Sequence, residues 1–224
     1  MHSRATAPLA GEVGSSGAVI GMDMNQEMLD VAVARAESQL NLRFVACSAE
    51  ELACPDGSVD TVTCQQGFQF FPDKGVAARE IFRVLRPGGT AIVSVWRPVS
   101  ECQLFAVICD ALVAIGEHEI ANTMRAPFDF MPRSELVAAF ESAGFSSVDV
   151  NTEEKALVMS GGIQQAIEAA YSTPIGPGLR ALAGDTQDRF IELLTAKAEH
   201  LDGDSLTMGQ MASDVLVATK SSVG

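Results

Sequence analysis

A chain of 224 residues with 47% hydrophobic content suffices for one substantial core and is long for two, so a single domain over residues 1–224 is expected. The formal charge of −14 at pH 7, offset by no basic run, argues against nucleic acid and anionic lipid as partners. The chain opens on no signal-peptide pattern, its longest apolar stretch, CQLFAVICDALVAIG, contains Asp110 and is too short to span a bilayer, and the cysteines at 47, 54, 64, 102 and 109 show no CxxC spacing. These features exclude a disulfide framework and a zinc site as expectations, and point to a soluble protein of the reducing cytoplasm.

Strand and helix signals alternate along the chain with short connections, the pattern of a mostly parallel sheet with helices on both faces. Ala18 to Met22 reads as a short apolar strand that runs into Asp23. Asn25 then caps a helix whose apolar stripe is Met28, Leu29, Ala32, Val33, Ala36 and Leu40. RFVAC, Arg43 to Cys47, is a second strand, and VDTVTC, Val59 to Cys64, follows the turn CPDGS as a third. Asp73 to Leu85 has helical spacing, with Pro87, Gly88 and Gly89 as its stop, and TAIVSVW, Thr90 to Trp96, reads as a central parallel strand. Helices are expected around Leu104 to Ile115 and Leu136 to Ala143. SSVDVN is then a strand, Gln164 to Ala170 and Gln187 to His200 are helices, and Ala212 to Thr219 is the last strand.

The succession GAVIGMDMNQEMLDVA, FVACSAEEL, DGSVDTVTCQQGFQFFPD and AAREIFRVLRPGGTAIVSVW resembles the class I S-adenosylmethionine-dependent methyltransferases, in the small-molecule branch of quinone-biosynthesis C-methyltransferases. The resemblance runs from about Leu9 to Trp96 and continues more weakly to the C-terminus. It implies a Rossmann-like α/β fold with a seven-stranded sheet and an antiparallel last strand. It also implies S-adenosyl-L-methionine as cofactor and methyl transfer to a small-molecule acceptor.

The same resemblance assigns the site residues, and chemistry gives each a reason. Asp23, at a strand end, can accept both ribose hydroxyls with its two oxygens. Met24 would flank the adenine. Ser48 stands where the family has an acid for the adenine amino group, and Ala49 would offer its backbone N–H to the ring. Gln65 and Gln66, at the open end of the third strand, would meet the methionine part of the cofactor. Phe68, Phe70 and Phe71 are either a wall against water or an anchor for the next helix, and the anchor reading suits Phe71 better. His118 is the candidate general base if the acceptor must lose a proton, since His2 and His200 lie in a terminal segment and a charged helix. Segments 101–131 and 155–208 are expected to cover the substrate.

One family feature is missing from this pattern. A glycine-rich turn should precede the ribose acid by roughly 20 residues, which places it near Ser3, and MHSRATAPLAGEVG matches only the helix that comes after such a turn. Gly11, Gly14 and Gly17 precede a strand instead of following one, so they are no substitute. The chain therefore reads as N-terminally truncated relative to the family, without the first strand, which would lie between the strands of Asp23 and Cys64. Lower stability or association into a homo-oligomer through exposed strand edges is the expected consequence. The alternative function is a methyltransferase-like binding or assembly module without catalysis. A dinucleotide oxidoreductase shares the ribose acid, but the CQQG and RPGG context disfavours it.

Overall fold

A computed structural model describes residues 3–36, 40–129, 131–199, 201 and 207–222. Their elements run α1 (Ser3–Glu12), β1 (Val19–Asp23), α2 (Gln26–Arg35), β2 (Leu42–Ala46), β3 (Val59–Gln65), α3 (Lys74–Val84), β4 (Leu85–Trp96), α4 (Gln103–Ala114), α5 (His118–Asp129), α6 (Arg133–Ala143), β5 (Ser147–Val158), α7 (Gly162–Tyr171), α8 (Gly176–Ala181), α9 (Gly184–Ala198) and β6 (Thr207–Thr219). The chain divides into two compact units. Unit 1 comprises Met1–Val95, Arg133–Val150 and Val215–Gly224, and unit 2 comprises Trp96–Pro132 and Asn151–Asp214. The segments expected to cover a substrate, 101–131 and 155–208, fall within unit 2.

The described strands form two sheets, β1-β2 and β3-β4-β6-β5, in place of one continuous sheet of seven. The break separates the strand of Asp23 from the strand of Cys64, so β1 and β3 each lack a neighbour on one edge among the described residues. β1 pairs with β2 in parallel, and β3 with β4 likewise. Advancing along β4 from Gly88 to Arg97 retreats along β6 from Lys220 to Ala212, through Gly88 N–H to Lys220 O at 3.0 Å and Arg97 N–H to Ala212 O at 3.1 Å. The last strand is thus antiparallel, as expected.

Unit 1 gathers its core on one face of β3 and β4. Ala91, Val93 and Val95 are buried there, together with Ala77, Ala78, Ile81 and Val84 of α3 and Leu136 and Phe140 of α6. Phe140 packs between Phe68 and Phe145, with ring centroids 5.2 and 5.3 Å away. On the opposite face Thr61 and Thr63 are exposed, and Ile92 beside them is 39% exposed. The β1-β2 sheet is wetter. Every residue of β1 is only partly buried, and α2 buries Leu29 and Ala32 alone. Val33 and Leu40, expected on the apolar stripe, are exposed, and Leu40 lies beyond the end of α2 at Arg35. Gly21 of β1 is dictated by packing, since a Cβ there would sit 2.6 Å from the Phe44 ring.

RPGG does not stop α3. Leu85 already leaves the helix in an extended conformation, before RPGG begins. The four residues instead belong to β4, where the register with β3 jumps from Val59↔Leu85 to Thr61↔Thr90 and Gly88 takes φ 76°. Lys220 closes the helix end by donating to the carbonyls of Phe82 and Leu85 at 2.8 and 2.7 Å. β5 also runs past Asn151 through the polar NTEEKALV stretch to Val158.

In unit 2, α4, α5, α7, α8 and α9 share a second core that includes Leu104, Ile108, Leu112, Leu179, Phe190 and Leu194. α5 and α8 lie where no helix was expected. A polar clasp also belongs to this unit. The Arg97 guanidinium holds Glu101 at 2.9 and 2.7 Å and reaches buried Asp214 at 3.4 Å, while the Thr152 hydroxyl donates to Asp214 at 2.8 Å.

Candidate functional site

The candidate ligand residues of unit 1 lie at or just beyond the C-terminal ends of three parallel strands, the position where open α/β sheets bind ligands. Asp23 is the last residue of β1, and its carbonyl accepts the Cys47 N–H at 3.1 Å, which holds the ends of β1 and β2 together. One carboxylate oxygen, Oδ1, accepts the Asn25 N–H at 2.9 Å, and Oδ2 has no partner among the described residues. Asn25 in turn caps α2, its Oδ1 accepting the Met28 N–H at 3.2 Å. Met24 is 76% exposed at this strand end, so its side chain is free to lie against a planar group.

Past β2, Ser48 Oγ accepts the Glu50 N–H at 3.1 Å, a tight turn that fixes the backbone of Ala49. The hydroxyl proton of Ser48 remains available for donation. Glu50 ties this segment to the start of α3 by accepting the Asp73 N–H at 2.7 Å. Further along, Glu80 accepts the Leu52 N–H at 2.8 Å, and the Arg83 guanidinium donates to the carbonyls of Leu52 and Cys54 and to Asp56. Arg83, hydrogen-bonded to Glu80, holds that carboxyl below its usual range. The reach of Arg83 to carbonyls some 30 positions away had no local signal.

At the end of β3, Gln65 pairs with Ser94, and the Gln66 N–H donates to the Ser94 carbonyl at 2.9 Å. Gln66 then takes φ 53°, the left-handed region that costs a side chain such as glutamine on the order of 1–3 kcal/mol. The turn leads into a 3₁₀ segment, Phe68–Phe70. Here the phenylalanines take different places. Phe68 is fully buried and meets Phe71 edge-on at 5.5 Å, so Phe68 is the anchor and has no face for a ligand. Phe70 is 49% exposed.

The family described as Methyltransferase domain matches residues 2–93. A demethylmenaquinone methyltransferase of Staphylococcus carnosus (strain TM300) is 32% identical over 157 residues, which cover 66% of this chain and 65% of the relative. The chain is thus similar to methyltransferases over residues 2–93 and over the stretch shared with this relative. Its match spans just under two thirds of that relative's length. Among solved structures, the YcgJ protein of Bacillus subtilis aligns over 97% of this chain and 89% of its own, with a TM-score of 0.57 and 19% identity. Haemonchus contortus phosphoethanolamine N-methyltransferase 2, solved with S-adenosyl-L-methionine, aligns over 90% of this chain and 43% of its own, with a TM-score of 0.52 and 16% identity. Both likenesses speak to the fold.

Asp23, Met24, Ser48, Ala49, Gln65 and Gln66 are thus all in unit 1, the first four at the ends of the β1-β2 sheet and the glutamines at the end of β3. His118 is exposed at the first position of α5 in unit 2. His2 and His200 lie outside the described residues.

Proposed function

We propose that this chain transfers a methyl group from S-adenosyl-L-methionine to a small-molecule acceptor. The observation that carries the reading is Asp23. It ends a parallel strand, has one oxygen fixed by the Asn25 N–H, and keeps the other for a hydroxyl. The donor set suits the cofactor. Asp23 Oδ2 would take ribose hydroxyl hydrogens, Ser48 and the Ala49 N–H would face the adenine edge, Met24 would cover its plane, and Gln65 and Gln66 would meet the methionine end. When bound, S-adenosyl-L-methionine supplies a methyl carbon already activated by a positive sulfur. The work left to the side chains is to bind, orient and exclude water.

Such a transfer needs a general base only where the acceptor must lose a proton. His118 is the residue to test for that role, and its exposure argues for a weak effect. Demethylmenaquinone, named in the relative from Staphylococcus, is the first acceptor to assay. Among the described residues no helix is long and apolar enough to cross a membrane, and all five cysteines are free thiols. We place the protein in the cytoplasm on the thiols, with no nucleic-acid partner on its charge of −14. The open edges of β1 and β3 favour self-association, which size-exclusion chromatography at several concentrations reads directly.

The deciding experiment is calorimetric titration with S-adenosylhomocysteine, followed by transfer of a labelled methyl group to the acceptor. Binding lost in Asp23→Ala supports the reading. Absence of binding by the unaltered chain overturns it, and binding without turnover on any quinone precursor leaves a binding module in its place.

A further inference from the structure

The two halves of the candidate site stand on different sheets of unit 1. Asp23, Met24, Ser48 and Ala49 lie at the ends of β1 and β2, Gln65 and Gln66 lie at the end of β3, and among the described residues the two sheets share no strand. Side chains and backbone of the connection from β2 to β3 join them instead. That connection is laced along α3, whose Ala77, Ala78, Ile81 and Val84 are buried in the core of β3 and β4. At its far end the Gly57 and Ser58 N–H groups donate to the carbonyls of Arg83 and Val84, both at 2.9 Å, and midway the Leu52 N–H donates to Glu80 at 2.8 Å. At its near end stands the half-buried Glu50. The Glu50 N–H donates to Ser48 Oγ at 3.1 Å, and its Oε1 accepts the Asp73 N–H at 2.7 Å. Asp73 caps α3 by accepting the Val76 N–H at 2.8 Å, and it ends the short stretch that begins at the left-handed turn of Gln66. The backbone of Glu50 thus belongs to one half of the site, and its carboxylate grips the loop that leaves the other.

We propose that Glu50 is a positioning residue that holds the two halves of the cofactor site at one spacing. This rests on the cofactor reading given above, in which the nucleoside end of the ligand meets Asp23, Met24, Ser48 and Ala49 and the methionine end meets Gln65 and Gln66. A ligand that spans two half-sites gains from both only when they are already held at the distance it bridges, since otherwise binding itself must order them. A strand common to both sheets would fix that distance through its ladder of backbone bonds. Here the bonds from the connection to α3 take that part, and the one from Glu50 lies next in the chain to Ser48 and Ala49. The role needs reach more than charge. A carboxamide oxygen at the same length accepts the same N–H, whereas a side chain one methylene shorter falls short of it.

The test compares S-adenosylhomocysteine, which spans both halves, with adenosine, which meets only the first. In Glu50→Ala, S-adenosylhomocysteine should bind about three- to tenfold more weakly, the effect of one hydrogen bond, while adenosine stays within about twofold of its affinity for the unaltered chain. Glu50→Gln should keep both affinities, and Glu50→Asp should behave as the alanine variant does. General loosening of the fold would weaken both ligands alike in Glu50→Ala, and that outcome overturns the proposal, as does an unchanged affinity for S-adenosylhomocysteine. A second measurement needs no variant. Because coupling is reciprocal, S-adenosylhomocysteine should slow hydrogen exchange at the Asp73 amide of the unaltered chain, and adenosine should not. Equal slowing by both ligands, or by neither, overturns the proposal and leaves the cofactor reading standing. An unaltered chain that binds neither ligand removes the cofactor reading and the role of Glu50 with it.

Discussion

β1 and β4 are both strands of parallel pairs in unit 1, yet they stand on different ground. β4 alternates residues of full burial, such as Ala91 and Val93, with exposed ones, and is backed by α3 and the Phe68, Phe140 and Phe145 rings. β1 buries no residue fully and has one strand neighbour among the described residues. Asp23 thus sits on the lightly supported pair and the glutamine turn beside the heavily supported one. Burial of apolar area stabilises in proportion to the area removed from water. Stability should therefore be concentrated around β4, while the Asp23 end contributes to binding more than to folding.

The largest test of that contrast is in the core. Phe140→Ala should lower stability by about 3–5 kcal/mol, since a fully buried ring leaves a cavity, and Phe44→Ala on half-buried β2 should cost less than half as much. Urea unfolding of both variants measures it, and equal losses would erase the difference between the two sheets. Next in size is Asp23→Ala, expected to weaken S-adenosylhomocysteine binding by about 1–3 kcal/mol while leaving the melting temperature nearly unchanged. A large fall in melting temperature would show that the β1 end supports the fold after all.

Arg83→Met should follow at roughly 1–2 kcal/mol, because the guanidinium satisfies two carbonyls of the segment after β2 and pairs with Glu80. The Glu80 carboxyl, held below its usual range by Arg83, contributes stability that is full above about pH 4.5 and lost as the pH falls through its lower folded value. That acid-side slope should flatten in Arg83→Met. The smallest expected effect lies on the alkaline side. Burial raises Cys64 in unit 1 and Cys109 in unit 2 from 9.0 to about 11. Between those values the unfolded chain has released protons that the folded one retains, so stability is full below about 9 and falls toward 11. Thermal melts of Cys64→Ser and Cys109→Ser across this window should each show a shallower decline.

Local chemistry made much of this legible. Asp23 and Asn25 were readable because an apolar run, an acid and a cap follow one another within eight residues, and the cap bond to Met28 forms as the pattern requires. Phe68 and Phe71 could not be told apart by composition, since both flank the same turn, and α6 decides the matter by placing Phe140 against Phe68. The extension of β5 was hidden because its residues Glu153, Glu154 and Lys155 look like a loop. Charged residues suit a strand at the edge of a sheet, where β6 is its one neighbour.

The sequence alone determined the alternation of strands and helices, the acid at the end of β1, the helix caps and the likeness to methyltransferases, all of which rest on neighbours within one or two turns of chain. Only the tertiary structure decided that RPGG is a bulge in β4, that Arg83 secures the segment after β2, and that Lys220 closes α3. Each of those depends on groups that meet across many positions of chain, as Lys220 meets Leu85 at 2.7 Å. Such partners are chosen by unsatisfied carbonyls and amides after the chain has packed, and no local periodicity records them.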